Sequence, residues 1–164
     1  MKIENLKHWL SLAANLGVIV GIVFLSIEIS QSNRIALGTA ESDMRINAME
    51  YTRSISQNDE VASILTKLAQ PESELTALEA MKAQASILEF VNLIRSAESL
   101  FRNGLITTET YNGYLSELTL FMDNILGSIP IFVEISSSRI DGRYAGVFDH
   151  ILQVAEARGY IVHE

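Results

Sequence analysis

The stretch NLIRSAESLFR, residues 92–102, brings Arg95, Glu98 and Arg102 to positions i, i+3 and i+7 of one helical face. Charges so spaced form an ion-pair ladder. Exposed to water, such a ladder stabilises its helix by roughly a few tenths of a kcal/mol. Partly buried, the same residues fix packing register or touch a ligand. The expectation is an edge or register pair. Glu28 is the next candidate, a carboxylate at the end of a long apolar run. In an oligomer it would form an acidic ring at a membrane surface, a place for a cation. On a single helix it reaches headgroup water, and that is the reading favoured here.

Other chemistry is thinly supplied. The three histidines, His8, His150 and His163, are scattered, and none completes a Glu-x-x-His pair of the kind that holds two metal ions in a bundle. The chain has no H-E-x-x-H, G-x-S-x-G or P-loop pattern. Cysteine is absent, which removes disulfides, thiolate metal ligands and cysteine nucleophiles together. A net charge of −8, with no dense Lys/Arg run, argues against nucleic acid as a partner. These observations predict no enzyme activity, no cofactor and no metal. Tyr111, Tyr114 and Phe121 share a helical face at spacings of three and seven, which suits core or interface better than a ligand cage.

The elements that position these residues begin with NLGVIVGIVFLSIEISQSN, residues 15–33. No charge occurs from Trp9 to Ile27. As a helix that run spans about 28 Å, close to the hydrocarbon thickness of a bilayer. Trp9 stands where an interfacial aromatic belongs. A cleaved signal peptide would have a shorter apolar core and a small-residue cleavage site, and LSIEISQSN offers none. A buried helix of a soluble core is usually shorter and rarely apolar on every face. The run therefore predicts a transmembrane anchor over residues 1–32 and a helical domain over 33–164.

Within the span, Ala13, Gly17 and Gly21 recur every fourth residue and form a stripe that lets backbones approach closely. Ser11, Asn15 and Ser26 fall on a roughly opposite stripe, where Asn15 can hydrogen-bond to a neighbouring helix. A dimer needs one adhesive face; two faces suit a ring or larger bundle. Glycine is also simply common in membrane helices, so the pattern has a compositional reading too. Lys2 and Lys7 flank one end of the span while Arg34 and Arg45 flank the other, which nearly ties the positive-inside count.

Beyond Asn33 the chain reads as successive helices, without a credible strand or an internal repeat. A first helix continues from the span, or joins it by a short hinge, with Met44 and Ile55 among its apolar positions and Gly38 weakening its early part. Asn58 caps the next, which ends before Pro71. Thr76 and Glu79 form a capping box that opens the strongest helix, ending at Asn103-Gly104. Its apolar stripe is predicted as Leu78, Met81, Ala85, Leu88, Val91, Ile94, Leu100 and Phe101. Thr107 and Thr108 are candidate caps for a helix ending near Gly127, and Pro130 can open another at its first position. The last helix is predicted from about Tyr144 to Arg158, closed by Gly159. The fold class is all-α: one N-terminal transmembrane helix, then a compact multi-helix bundle.

GVIVGIVFLSIEISQSN resembles the start of an uncharacterised group of small bacterial membrane proteins whose span ends in a pattern like S-L-x-Y-L-A-x-Q-I-R-Q-N. Phe24 stands at the tyrosine position, Leu25 and Ile29 match, and Gln31 matches the second glutamine. LFRNGLITTETYNGYL is similar to the group's R-x-G-L-[IL]-x-x-E-x-[WY] stretch through Arg102, Gly104, Leu105, Ile106, Glu109 and Tyr111. Glu28 replaces the group's glutamine and Ser30 its arginine. The resemblance implies a single-pass protein of the bacterial inner membrane with a cytoplasmic helical domain, and it implies no activity.

The function expected from the sequence is non-enzymatic: a membrane-anchored protein that self-assembles into a homo-oligomer of more than two chains and acts as a scaffold or recruits a protein partner. The alternative is a single-span sensor whose helical domain binds a small ligand. A deep apolar cavity with convergent polar groups would favour the sensor. A flat apolar surface matched to a neighbour would favour the scaffold.

Overall fold

The computed structural model describes residues 2–70, 73–137 and 145–160, with side chains from residue 7 onward. Among them the fold is all-α, a long apolar N-terminal helix followed by a helical bundle. The first helix, α1, runs Lys2–Ser56. The chain divides into two units, Met1–Thr39 and Ala40–Glu164, so the division falls inside α1.

In the first unit α1 carries no charge from Trp9 to Ile27. Val18, Phe24 and Ile29 are all largely exposed. This is the one described helix with the length and composition to cross a membrane by itself, and the side chains of its apolar window are exposed. A surface of that kind is stable against lipid or other helices, not against water.

The second unit is built from the end of α1, α2 (Asp59–Leu68), α3 (Ala77–Arg102), α4 (Thr108–Asn124), α5 (Ile129–Ser137) and α6 (Ala145–Ala157). Local chemistry sets most of their ends. The Asn58 side chain accepts from the Val61 amide at the start of α2. Thr76 and Glu79 exchange side-chain and backbone hydrogen bonds as a complete capping box on α3. The Thr107 hydroxyl accepts from the Thr110 amide and opens α4. Gly104 and Gly159 follow α3 and α6 at φ +69° and +81°, a conformation that glycine adopts without steric cost. Between α4 and α5 the chain tightens into a 3-10 turn, Leu126–Ser128, so Pro130 lies second in α5 and not first. It is still within the first turn, where its missing N–H costs nothing.

The main core gathers Ile64 and Leu65 of α2, Ile87 and Ile94 of α3, Leu118 and Met122 of α4, Phe132 of α5 and Ile151 of α6. A smaller cluster joins Met44 of α1 to Ala97, Ile106 and Tyr111. The buried stripe of α3 is rotated from the one expected: it runs through Ala83, Ile87, Phe90, Val91, Ile94 and Ala97. Leu78 and Met81 are exposed, as is Ala85. The physical reason is the partner: Ala83, Ile87 and Phe90 share one buried cluster with Ile64, Leu65 and Leu68 of α2, while the ion pairs Lys67–Glu79 and Lys82–Glu60 lie at the half-exposed edge of that contact.

Candidate functional site

Glu98 is where the charged ladder acquires a role. Its side chain is 2% exposed, on the inner face of α3. Arg102, one turn on, donates to Glu98 Oε1 from Nε at 2.9 Å and from Nη2 at 2.6 Å. The backbone amides of Gly146 and Val147 donate to Oε1 and Oε2 at 3.2 and 3.1 Å. Those amides belong to the first turn of α6, where unpaired N–H groups and the helix dipole favour a negative charge. Glu98 is thus the cap of a helix 48 residues away in sequence. Glu98 is buried, so its position on α3 is not a solvated edge. Arg95 turns to Asn92, donating to its Oδ1 at 3.0 Å, and its guanidinium lies 5.6 Å from the Phe148 ring centre. Glu98 and Arg102 form a close pair, and Arg95 lies beside it on the same helix.

Tyr111 lies against the same cluster. A side chain at Gly146 would meet both Glu98 Oε1 and the Tyr111 hydroxyl. Burial, reinforced by the Glu98 charge, pushes the Tyr111 phenol up to about 12, so it stays protonated. Its ring stacks on Phe101 at 4.8 Å. Everything here is turned toward packing: the carboxylate is saturated by four donors and the phenol is shielded.

The histidines stay apart. His8 is exposed in the first unit, and His163 lies outside the described residues. His150 on α6 is half-buried, its Nε2 2.8 Å from the Thr119 hydroxyl, and burial holds its pKa below the ordinary value. Among the described residues no group of His, Asp and Glu is placed to hold a metal ion.

On the span, nothing lies within 4 Å of where a Cβ would stand at Gly17 or Gly21. Ala13, Ser11 and Asn15 are exposed, and so is Glu28. The Ser26 hydroxyl donates to the Ile22 carbonyl at 2.9 Å, within its own helix. This satisfies Ser26 locally and leaves Asn15 as the stripe's strongest outward hydrogen-bonding group.

Sequence reasoning missed a groove in the second unit. It is an open trough of about 920 Å³ between α1, α3 and α4. Tyr51, Phe90 and Phe121 line it, stacked in series at centroid distances of 5.2 and 4.7 Å. Burial raises the Tyr51 phenol to about 12, and its hydroxyl donates to the Ser86 carbonyl. Also in the lining are Met49 and Arg53 from α1 and Glu117 and Leu120 from α4. The spacing of Met49, Arg53 and Ser56 along α1 was the available signal, since it puts an apolar and a basic residue on one stripe.

The fold and these surfaces define a class, a helical-bundle protein with one long apolar N-terminal helix suited to a membrane. Comparison with known proteins takes that class no further: no protein-family model, no curated protein and no solved structure matches the chain.

Proposed function

We propose that this chain is a non-enzymatic, single-pass membrane protein that self-assembles into a homo-oligomer of more than two chains. The assembly serves as a scaffold or recruiting platform for a protein partner. The observation that carries the reading is the fully exposed apolar segment of α1 with its open stripe of Ala13, Gly17 and Gly21. Lipid accounts for the apolar surface as such. The small-residue stripe with Asn15 on a different face supplies two contact surfaces, and a helix touching two neighbours uses both. Glu28 would then lie in a ring of carboxylates. By its resemblance to the bacterial group, the protein belongs to the inner membrane with its helical domain in the cytoplasm.

The test is particle mass in mild detergent, by light scattering or native mass spectrometry, on protein taken from membranes that retain it through carbonate washing. Wild type is expected above dimer mass. Gly17→Leu with Gly21→Leu blocks close approach by steric overlap, and Asn15→Leu removes a hydrogen bond of about 1 kcal/mol per contact. Each change alone is expected to shrink the particle. A wild-type monomer at micromolar concentration, with the bundle intact, would end the scaffold reading in favour of the ligand-binding sensor.

A further inference from the structure

The groove between α1, α3 and α4 has an apolar floor and a mouth of unusual balance. The protein as a whole carries 20 acidic against 12 basic residues. The groove lining carries one of each, Arg53 on α1 and Glu117 on α4. Both are exposed, and among the described residues neither makes an ion pair. Beside them stand two large apolar side chains that the bundle leaves in water, Met49 at 62% and Leu120 at 56% exposure. An aromatic trough flanked by apolar knobs, with one cation on one wall and one anion on the other, is complementary to itself under a two-fold rotation.

We infer that this groove is a self-association surface of the helical domain, occupied by the same groove of a second copy related by a two-fold axis. Met49 and Leu120 of each copy fill the trough of the other, over the rings of Tyr51, Phe90 and Phe121. Arg53 of each copy meets the other copy's Glu117. An acidic protein approaching its own kind is repelled over most of its surface, so a neutral, self-matching mouth is where contact costs least. The inference rests on the self-assembly proposed above and gives it a second interface. A two-fold contact at the groove and a separate contact between spans together carry an assembly past two chains.

The experiment is a charge swap on the full chain in mild detergent, read as particle mass across a micromolar dilution series. Arg53→Glu sets glutamate against glutamate across the axis, and Glu117→Arg sets arginine against arginine. Each is expected to raise the concentration for half-assembly at least tenfold. Arg53→Glu combined with Glu117→Arg restores opposite charges and is expected to return it to within about threefold of wild type. Rescue of this kind also shows that the single variants fold. Met49→Glu with Leu120→Glu, two exposed positions, is expected to reduce the particle to what the spans alone hold together, with helicity unchanged. Single variants that leave assembly untouched, or a swap that fails to rescue, would overturn the groove interface. If those variants are silent while the Gly17 and Gly21 substitutions still shrink the particle, the scaffold reading stands and this one falls. A monomeric wild type removes both.

Discussion

Replacing Glu98 by glutamine tests whether one carboxylate holds α6 to the bundle. The side chain keeps its shape and loses its charge. The carboxylate accepts four hydrogen bonds, two from Arg102 and one each from the Gly146 and Val147 amides. Glutamine offers one acceptor oxygen, and its amide turns N–H donors toward donors. Bonds to a charged acceptor contribute about 1.5–3 kcal/mol each against about 0.5–1.5 for neutral ones, and a buried donor left without a partner costs about 1–3 kcal/mol. Arg102 softens the loss, because its side chain is 48% exposed and recovers water contacts. Glu98→Gln is therefore expected to destabilise the bundle by about 3 kcal/mol, a large share of the roughly 5–15 kcal/mol typical of a domain. The assay is urea unfolding of the full chain in detergent, followed by circular dichroism, with amide hydrogen exchange as the local readout. Gly146 and Val147 should lose protection in Glu98→Gln and keep it in Arg102→Lys, where the carboxylate still caps α6. A loss under about 1 kcal/mol, or unchanged exchange at those two amides, would refute the cap.

Two further outcomes follow from the packing. A Cβ at Gly127 would overlap the backbone carbonyl of Leu68, so Gly127→Ala is expected to lower stability by about 1–3 kcal/mol, read by the same urea titration. His150 has a folded pKa held below its unfolded value of about 6.5, so the unfolded chain binds the proton first. Stability contributed by neutral His150 is then full above about pH 6.5, falls as pH drops through the window down to the folded pKa, and levels off below it. His150→Gln is expected to flatten that slope when melting temperature is followed from pH 7.5 to 5.

The helix ends were legible because their chemistry is local. Asn58, Thr76 with Glu79, Thr107 and Gly159 each act within a turn of where they stand, and the sequence shows the whole device. Glu98 shows the opposite case. Its spacing from Arg102 was visible, but its other partners begin 48 positions on, and nothing near Glu98 points to them. The α3 stripe misled for a related reason. Periodicity gives a face but not which neighbour takes it, and here α2 buries Ala83, Ile87 and Phe90 against Ile64, Leu65 and Leu68. Of the groove the sequence shows only the α1 wall, through the spacing of Met49, Arg53 and Ser56, because the rest belongs to two further helices.

The clasp between Glu98 and α6 also says something about the order in which the chain matures. During synthesis α3 leaves the ribosome well before the amides of Gly146 and Val147 exist to meet its carboxylate. Until they arrive, Glu98 has Arg102 on its own helix but lacks the two amides, and a carboxylate short of donors stays in water. The face of α3 around it, with Val91 and Ile94, is then held open to water by the same residue that later seals it. A nascent chain stalled between α5 and α6 would present that wet, half-apolar face to chaperones and proteases. Arrival of the last helix supplies the two missing donors, so a charge that delays burial becomes one that holds the buried state.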